Sequence, residues 1–254
     1  MNKSVLKKIR EKREFSMLPE KDIRLAYEKF EKRQATEQEK IILTKELLRQ
    51  IFTAFVSPKL LSIKNKDEEW ILRKHISTRE RLPYYEQIYQ RIFKNYKKAS
   101  VVDLGSGING FSYKFFKKLK LGINYTAIES VGQLVEFMNF YFKGKKANAK
   151  AIHLSLFEKE QIKKIISKKE GPVIVFLFKV IDALESLKRD YSKELISSLA
   201  DSVDEIVLSF STKSLGGKEK FKANRKWIID FIQENFEVQD DFEIGGERYL
   251  IFGK

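Results

Sequence analysis

The stretch VVDLGSGINGF, residues 101–111, decides how this chain is read. An apolar run closes on Asp103 and Leu104 and gives way to Gly105-Ser106-Gly107-Ile108-Asn109-Gly110, a literal G-x-G-x-x-G. An acidic residue, Glu129, follows roughly 20 residues on, which completes the usual form of a loop that holds a pyrophosphate on backbone amides. In an open α/β sheet the ligand lies beyond the carboxyl ends of the strands, near the first crossover. A pyrophosphate and a cationic ligand would therefore occupy the same place, and charge has to decide between them.

Asp103 stands at the end of the first strand, two residues before Gly105. A carboxylate there repels a pyrophosphate and favours the α-ammonium and sulfonium of S-adenosylmethionine. The glycines allow close backbone approach to the methionine part. Glu129, ending the second strand, is placed to accept both ribose hydroxyls. The alternatives are that Asp103 caps loop amides and that Glu129 is a solvated strand end. An Asp-x-Gly-x-Gly together with a second-strand acid favours the cation.

Outward from this loop the pattern differs on its two sides. From Ser100 onward short apolar runs alternate with amphipathic stretches: VVDL, FSYKFFKKL, NYTAIE, VGQLVEFMNFYF, AKAIHL, KEQIKKIIS, PVIVFLF, YSKELISSLA, DEIVLSF and FKANRKWIIDFIQEN. Such alternation predicts a mostly parallel sheet covered on both faces. FEVQDDFEI and RYLIFGK, joined through Gly245-Gly246, predict an antiparallel hairpin at the end. Before residue 98 the periodicity is helical. DIRLAYEKF repeats Ile23, Ala26, Tyr27 and Phe30, and Thr36 with Glu39 forms a capping box before IILTKELLRQIFTAFV, which Ser57-Pro58 closes. DEEWILRKHI and PYYEQIYQRIFKNY add two helical segments, with Ser77 and Glu80 as a candidate cap beside Pro83. The expected architecture is an all-helical domain over 1–97, followed over 98–254 by a Rossmann-like open α/β sheet of the S-adenosylmethionine-dependent methyltransferase type with an antiparallel last strand.

The net charge is +15. Residues 1–100 hold 25 Lys and Arg against 14 Asp and Glu, and the remainder holds 25 against 21, so the excess is concentrated in the helical part. A basic excess of that kind points to a polyanionic partner, against the alternative of solvated lysine-rich helix faces. Without cysteine there is no disulfide and no thiolate metal site, and His75 and His153 are the only imidazoles. No apolar run is long enough to span a bilayer, and the first residues carry no signal-peptide stretch. The expectation is a cytoplasmic protein with no membrane partner and no metal.

Three further stretches, HISTRERLPYYEQIY (75–89), FLFKVIDALE (176–185) and IVLSFSTKSLGGKEKFKAN (206–224), resemble the aminoglycoside-resistance 16S ribosomal RNA methyltransferases that act on guanine N7 in the decoding site. The resemblance runs along most of the chain and is sharpest at S-T-R-E-R-L and S-F-x-T-K-S-L-G-G-K. It implies that Arg81 holds the cofactor's carboxylate through its planar fork of donors. It further implies that Asp103, Gly105 and Gly107 form the methionine-binding loop and that Glu129 is the ribose acid, more often aspartate in the family. Lys213, Ser214, Lys218 and Lys220, around Gly216-Gly217, would contact RNA beside the site, against the alternative of an ordinary strand-to-helix turn. The implied partner is 16S rRNA within the small (30S) ribosomal subunit.

The chain departs from the family at several positions. Family members usually read G-C-G-x-N-P where this chain reads GSGING. The third-strand region AIHLSLF lacks the aspartate that relatives place near the adenine, which leaves Ser155 or the adjoining backbone to serve. Asp182 stands in place of a proline, while Lys179 is retained, as a core-edge lysine or a ligand contact. His75 is expected to be a packed histidine at a helix end, against the alternative of an RNA contact. Guanine N7 attacks without losing a proton, so no acid–base residue is expected. Three rival readings stand beside this one: a methyltransferase of another rRNA position or of tRNA, a non-catalytic ribosome-binding factor of the same fold, and a nicotinamide oxidoreductase that Asp103 disfavours.

Overall fold

A computed structural model of the chain describes residues 1–53, 67–212 and 225–254. Within these the seven strands β1 (Lys98–Leu104), β2 (Gly122–Glu129), β3 (Ala149–His153), β4 (Val173–Phe178), β5 (Glu205–Ser211), β6 (Glu237–Ile244) and β7 (Glu247–Gly253) form one sheet. Their order is β3-β2-β1-β4-β5-β7-β6. The first five run parallel, and β7 is antiparallel to both β5 and β6. The last strand is thus antiparallel, as expected, but it lies inside the sheet, and β6 forms the edge. Gly245 and Gly246 make the turn with φ of +64° and +80°, the positive pair that a tight two-residue hairpin requires.

The central strands follow from their composition. β4 is buried along its whole length and β1 along all but its first residue, as continuous apolar runs covered on both faces must be. The strand order reverses between β1 and β4, so the loop after Leu104 opens at the crossover where such sheets take ligands.

In the N-terminal half, α1 (Lys3–Arg10), α2 (Glu20–Glu31) and α3 (Glu37–Leu48) come first. The capping box forms: Glu39 Oε2 accepts the Thr36 amide at 2.8 Å, and Thr36 Oγ1 accepts the Glu39 amide at 3.3 Å. After α3 a π-turn covers Arg49–Thr53, and the expected stop at Ser57-Pro58 lies outside the described residues. The single helix expected over DEEWILRKHI is two, Glu68–Leu72 and Ile76–Arg81. Thr78 Oγ1 reaches back across the break to the Leu72 carbonyl at 2.5 Å. Ser77 and Glu80 do not cap the next helix, because Ser77 lies inside Ile76–Arg81 and Glu80 pairs with Lys179 at 2.8 Å. Pro83 sits in a short 3₁₀ turn, Leu82–Tyr84, where its missing amide proton costs little.

The helix Tyr85–Ile92 joins the two halves. Tyr89 stacks on Phe116 at 4.3 Å between ring centroids and on Phe176 of β4 at 6.2 Å, and Tyr85 stacks on Phe115 at 5.0 Å. Such pairs each contribute about 0.5–1.5 kcal/mol beyond their buried area. Buried side chains from residue 5 to residue 252 form one continuous cluster, which crosses the junction at residues 97 and 98.

Candidate cofactor site

A cavity opens at the crossover, at the carboxyl ends of β1, β2 and β4, and Arg81, Asp103, Gly105, Gly107 and Glu129 all line it. Asp103 is the last but one residue of β1 and is 1% exposed. Its Oδ2 accepts from Asn109 Nδ2 at 2.7 Å and from the Tyr125 hydroxyl at 2.5 Å. Its Oδ1 is buried with no hydrogen-bond partner. Burial pushes the carboxyl above its ordinary range, against the pull of Tyr125, Asn109 and Arg81. A half-paired buried carboxylate in a ligand cavity calls for a cationic donor.

Gly105 has φ of +68°, and a Cβ there would stand 2.6 Å from Val180 Cγ2, so only glycine fits. Glu129 ends β2 and holds the loop in place. Its two carboxylate oxygens accept the Gly107 and Val131 amides, each at 2.8 Å. Gly107 N–H, a donor that a dinucleotide loop would aim at pyrophosphate, is thus taken by a carboxylate. Burial raises the Glu129 carboxyl to about 7, against the two amides that favour its charge.

The opposite wall carries positive charge. Arg81, at the end of Ile76–Arg81, is 3% exposed. Its Nη2 donates to Glu247 Oε1 at 2.9 Å, Nε to Glu247 Oε2 at 3.3 Å, and Nη1 to Asn109 Oδ1 at 3.1 Å. Lys179, in a left-handed conformation at φ +55°, places Nζ 2.8 Å from Glu80 and 3.3 Å from Glu247. Burial alone would raise the Glu247 carboxyl, yet Arg81 and Lys179 outweigh it and hold the group below its usual range. His75 also lines the cavity, and burial followed by the charges of Arg81 and Lys179 lowers its imidazole to about 3, so it is neutral at physiological pH.

Ser155 does not line the cavity. It is 1% exposed, and its hydroxyl donates to Asp22 Oδ1 at 2.5 Å, so the side chain that reaches the cavity there is Asp22 of α2. Sequence reasoning missed Asp22, Asn109 and Glu247. Asp22 had a signal, since it sits one turn before Ala26 on the apolar stripe of α2, where an acid is out of place. Asp182 pairs with Arg225, Nη1 to Oδ1 at 2.5 Å and Nη2 to Oδ2 at 2.6 Å. The candidate RNA contacts Lys213, Ser214, Lys218 and Lys220 lie outside the described residues. Among the described residues no group of three or more His, Asp or Glu side chains is arranged to hold a metal, and no helix is long and apolar enough to cross a membrane.

The model of a family described as ribosomal RNA methyltransferase (FmrO) matches residues 43–242. A 16S rRNA (guanine(1405)-N(7))-methyltransferase of Micromonospora rosea is 24% identical over 244 residues, covering 83% of this chain and 81% of that protein. Among solved structures, the 16S rRNA methyltransferase RmtF in complex with S-adenosyl-L-homocysteine superposes with a TM-score of 0.81 at 20% identity, covering 100% of this chain and 99% of that one. The 16S rRNA methylase RmtB gives 0.76 at 18% identity, covering 99% and 97%. The likeness to these structures is one of fold.

Proposed function

The chain belongs to the FmrO family of ribosomal RNA methyltransferases, and from that premise we propose that it moves the methyl group of S-adenosylmethionine to N7 of a guanine in 16S rRNA, at the position its Micromonospora relative is named for. The observation that carries the cofactor is Asp103, whose buried Oδ1 awaits a cationic donor while Glu129 occupies the Gly107 amide. When bound, the cofactor supplies an electrophilic methyl on a sulfonium.

The residues present fit it. Asp103 Oδ1 accepts from the α-ammonium, and Glu129 accepts from the ribose hydroxyls. Arg81, with Nη protons beyond those given to Glu247 and Asn109, meets the carboxylate. Gly105 lets the backbone approach closely.

Guanine N7 carries an in-plane lone pair outside Watson–Crick pairing, so transfer needs no general base. Neutral His75 lines the same cavity and would add no positive charge to a site that takes a cationic cofactor. The protein's task is alignment, holding acceptor and donor at near-attack distance. N7 of paired RNA faces a groove too deep and narrow to enter, so the target nucleotide must be extruded. The basic helical half and the lysine-rich segment at 213–220 are the surfaces proposed to grip the small subunit, inside the cytoplasm where ribosomes are. A methyl and a positive charge in the decoding site oppose cationic aminoglycosides, which supports a role in resistance to them.

The test is methyl transfer from labelled S-adenosylmethionine to small ribosomal subunits, followed by borohydride and aniline cleavage and primer extension. A stop at the decoding-site guanine is expected. Label found only on an adenine, or only on tRNA, would remove the substrate; cofactor binding with no transfer to any RNA would favour a non-catalytic ribosome-binding factor.

A further inference from the structure

We propose that Asp22, carried on α2 of the helical half, is the acceptor for the exocyclic amino group of the cofactor's adenine and makes the site selective for a 6-aminopurine. The proposal rests on the S-adenosylmethionine reading and assigns a residue to the part of the ligand that the strand ends leave without a side-chain partner.

Sheet order sets the sequence of subsites. Asp103, last but one in β1, and Glu129, last in β2, stand at the carboxyl ends of adjacent parallel strands, and Ser155 follows the next strand, β3, whose His153 is in register with Glu129. Neighbouring strands lie about 4.8 Å apart, so a ligand with its ammonium at Asp103 and its ribose at Glu129 carries its base toward the exit of β3. The electrostatics run in the same order. The charge of Arg81 acts on Asp103, whereas that of Asp22 acts on Glu129. At the β3 exit, beside Leu156 and Phe157, the acidic side chain presented to the cavity is Asp22.

Asp22 is fully buried. Ser155 Oγ fixes its Oδ1, while its Oδ2, also buried, has no hydrogen-bond partner. An unpaired buried carboxylate oxygen is unfavourable unless a donor arrives. Leu134, Leu156, Phe157, Leu184 and Leu187 line the same cavity. Apolar walls beside an oriented acceptor suit a flat heteroaromatic ring bearing an amino group. A ring with a keto oxygen at that position would set acceptor against acceptor, and sites built on one buried polar partner reject such analogues strongly.

The experiment is calorimetric titration of the full chain with S-adenosylhomocysteine and with its deaminated counterpart, S-inosylhomocysteine. The unmodified protein is expected to prefer the adenosyl ligand at least tenfold. Asp22→Ala should reduce that ratio to threefold or less. Asp22→Asn, whose amide can donate to the keto oxygen, should recover affinity for the inosyl ligand. Each ratio compares two ligands on one preparation, so a partly unfolded variant lowers both signals and leaves the ratio interpretable. A tenfold preference that survives in Asp22→Ala, or no preference in the unmodified protein, overturns the assignment of Asp22 and leaves cofactor binding intact. Failure of the unmodified protein to bind S-adenosylhomocysteine at all would instead overturn the reading beneath it.

Discussion

Glu247 is fixed by two cations, and its environment shows what a single residue contributes here. It is 3% exposed, shares a bidentate pair with Arg81 and lies 3.3 Å from Lys179. Breaking a buried pair by deleting one partner leaves an uncompensated charge, at a cost of about 3–5 kcal/mol. Glu247→Ala is therefore expected to lose stability on that scale in urea unfolding; a loss below about 1 kcal/mol would mean that Arg81 is held chiefly by Asn109 and the Phe178 ring. Nothing in the sequence announces Glu247, which follows a Gly-Gly turn 166 positions from its partner. Asp103 and Glu129 could be read because each ends a strand beside the glycine loop, where position along the chain already fixes position in space. Asp22 could have been read only by treating an acid on an apolar helical stripe as an anomaly.

At the level of elements, legibility followed how local the physics is. The box of Thr36 and Glu39 needs only three residues of spacing, and it formed as expected. The break between Glu68–Leu72 and Ile76–Arg81 is closed by Thr78 reaching back to the Leu72 carbonyl, which the apolar spacing does not announce. The same holds for β7, whose place between β5 and β6 is set by packing and not by its own pattern. Asp182 opens the helix Ile181–Leu187 and grips Arg225, the residue just before the helix Lys226–Asn235. Asp182 is 59% exposed, so the pair contributes little to stability, within about 1 kcal/mol. It holds Arg225, which follows in sequence the segment proposed to grip RNA. Asp182→Ala is expected to leave thermal stability and cofactor affinity nearly unchanged while methylation of small subunits falls roughly tenfold, a factor worth about 1.4 kcal/mol. Equal loss of cofactor affinity, or an unchanged rate of subunit methylation, would refute this role.

For the whole molecule, the sequence divides clearly in charge and periodicity near residue 97, and the buried cluster runs straight across that division. The reason is visible in Tyr85 and Tyr89, whose rings stack on Phe115 and Phe116. Aromatic residues on a helix look the same in sequence whether they close a domain or bridge two. The site is likewise assembled from both halves, with Asp22, His75 and Arg81 from one and Asp103, Glu129 and Lys179 from the other. A protein built this way ties its helical half to the cavity of the sheet through shared packing.

The two buried carboxyls at Asp22 and Glu129 also make the protein a proton reservoir. Burial raises Asp22 to about 6, against the hydrogen bond from Ser155, the nearby Ser130 hydroxyl and the charge of His153 and with the repulsion of Glu158; burial likewise raises Glu129 to about 7, with a smaller push from Asp22. Both values exceed those of the unfolded chain, so their contribution to stability is full at low pH and is lost as pH rises through about 6 to 7. Ligand groups that donate to these oxygens favour the ionised forms and must expel whatever protons remain. The heat of S-adenosylhomocysteine binding near pH 6.5 should then vary with the ionisation enthalpy of the buffer, differing between phosphate and Tris by the number of protons released. That dependence should fade by pH 9, where both groups are already ionised, and should shrink in Asp22→Asn; a buffer dependence unchanged across that range would show that neither carboxyl gives up a proton when the ligand arrives.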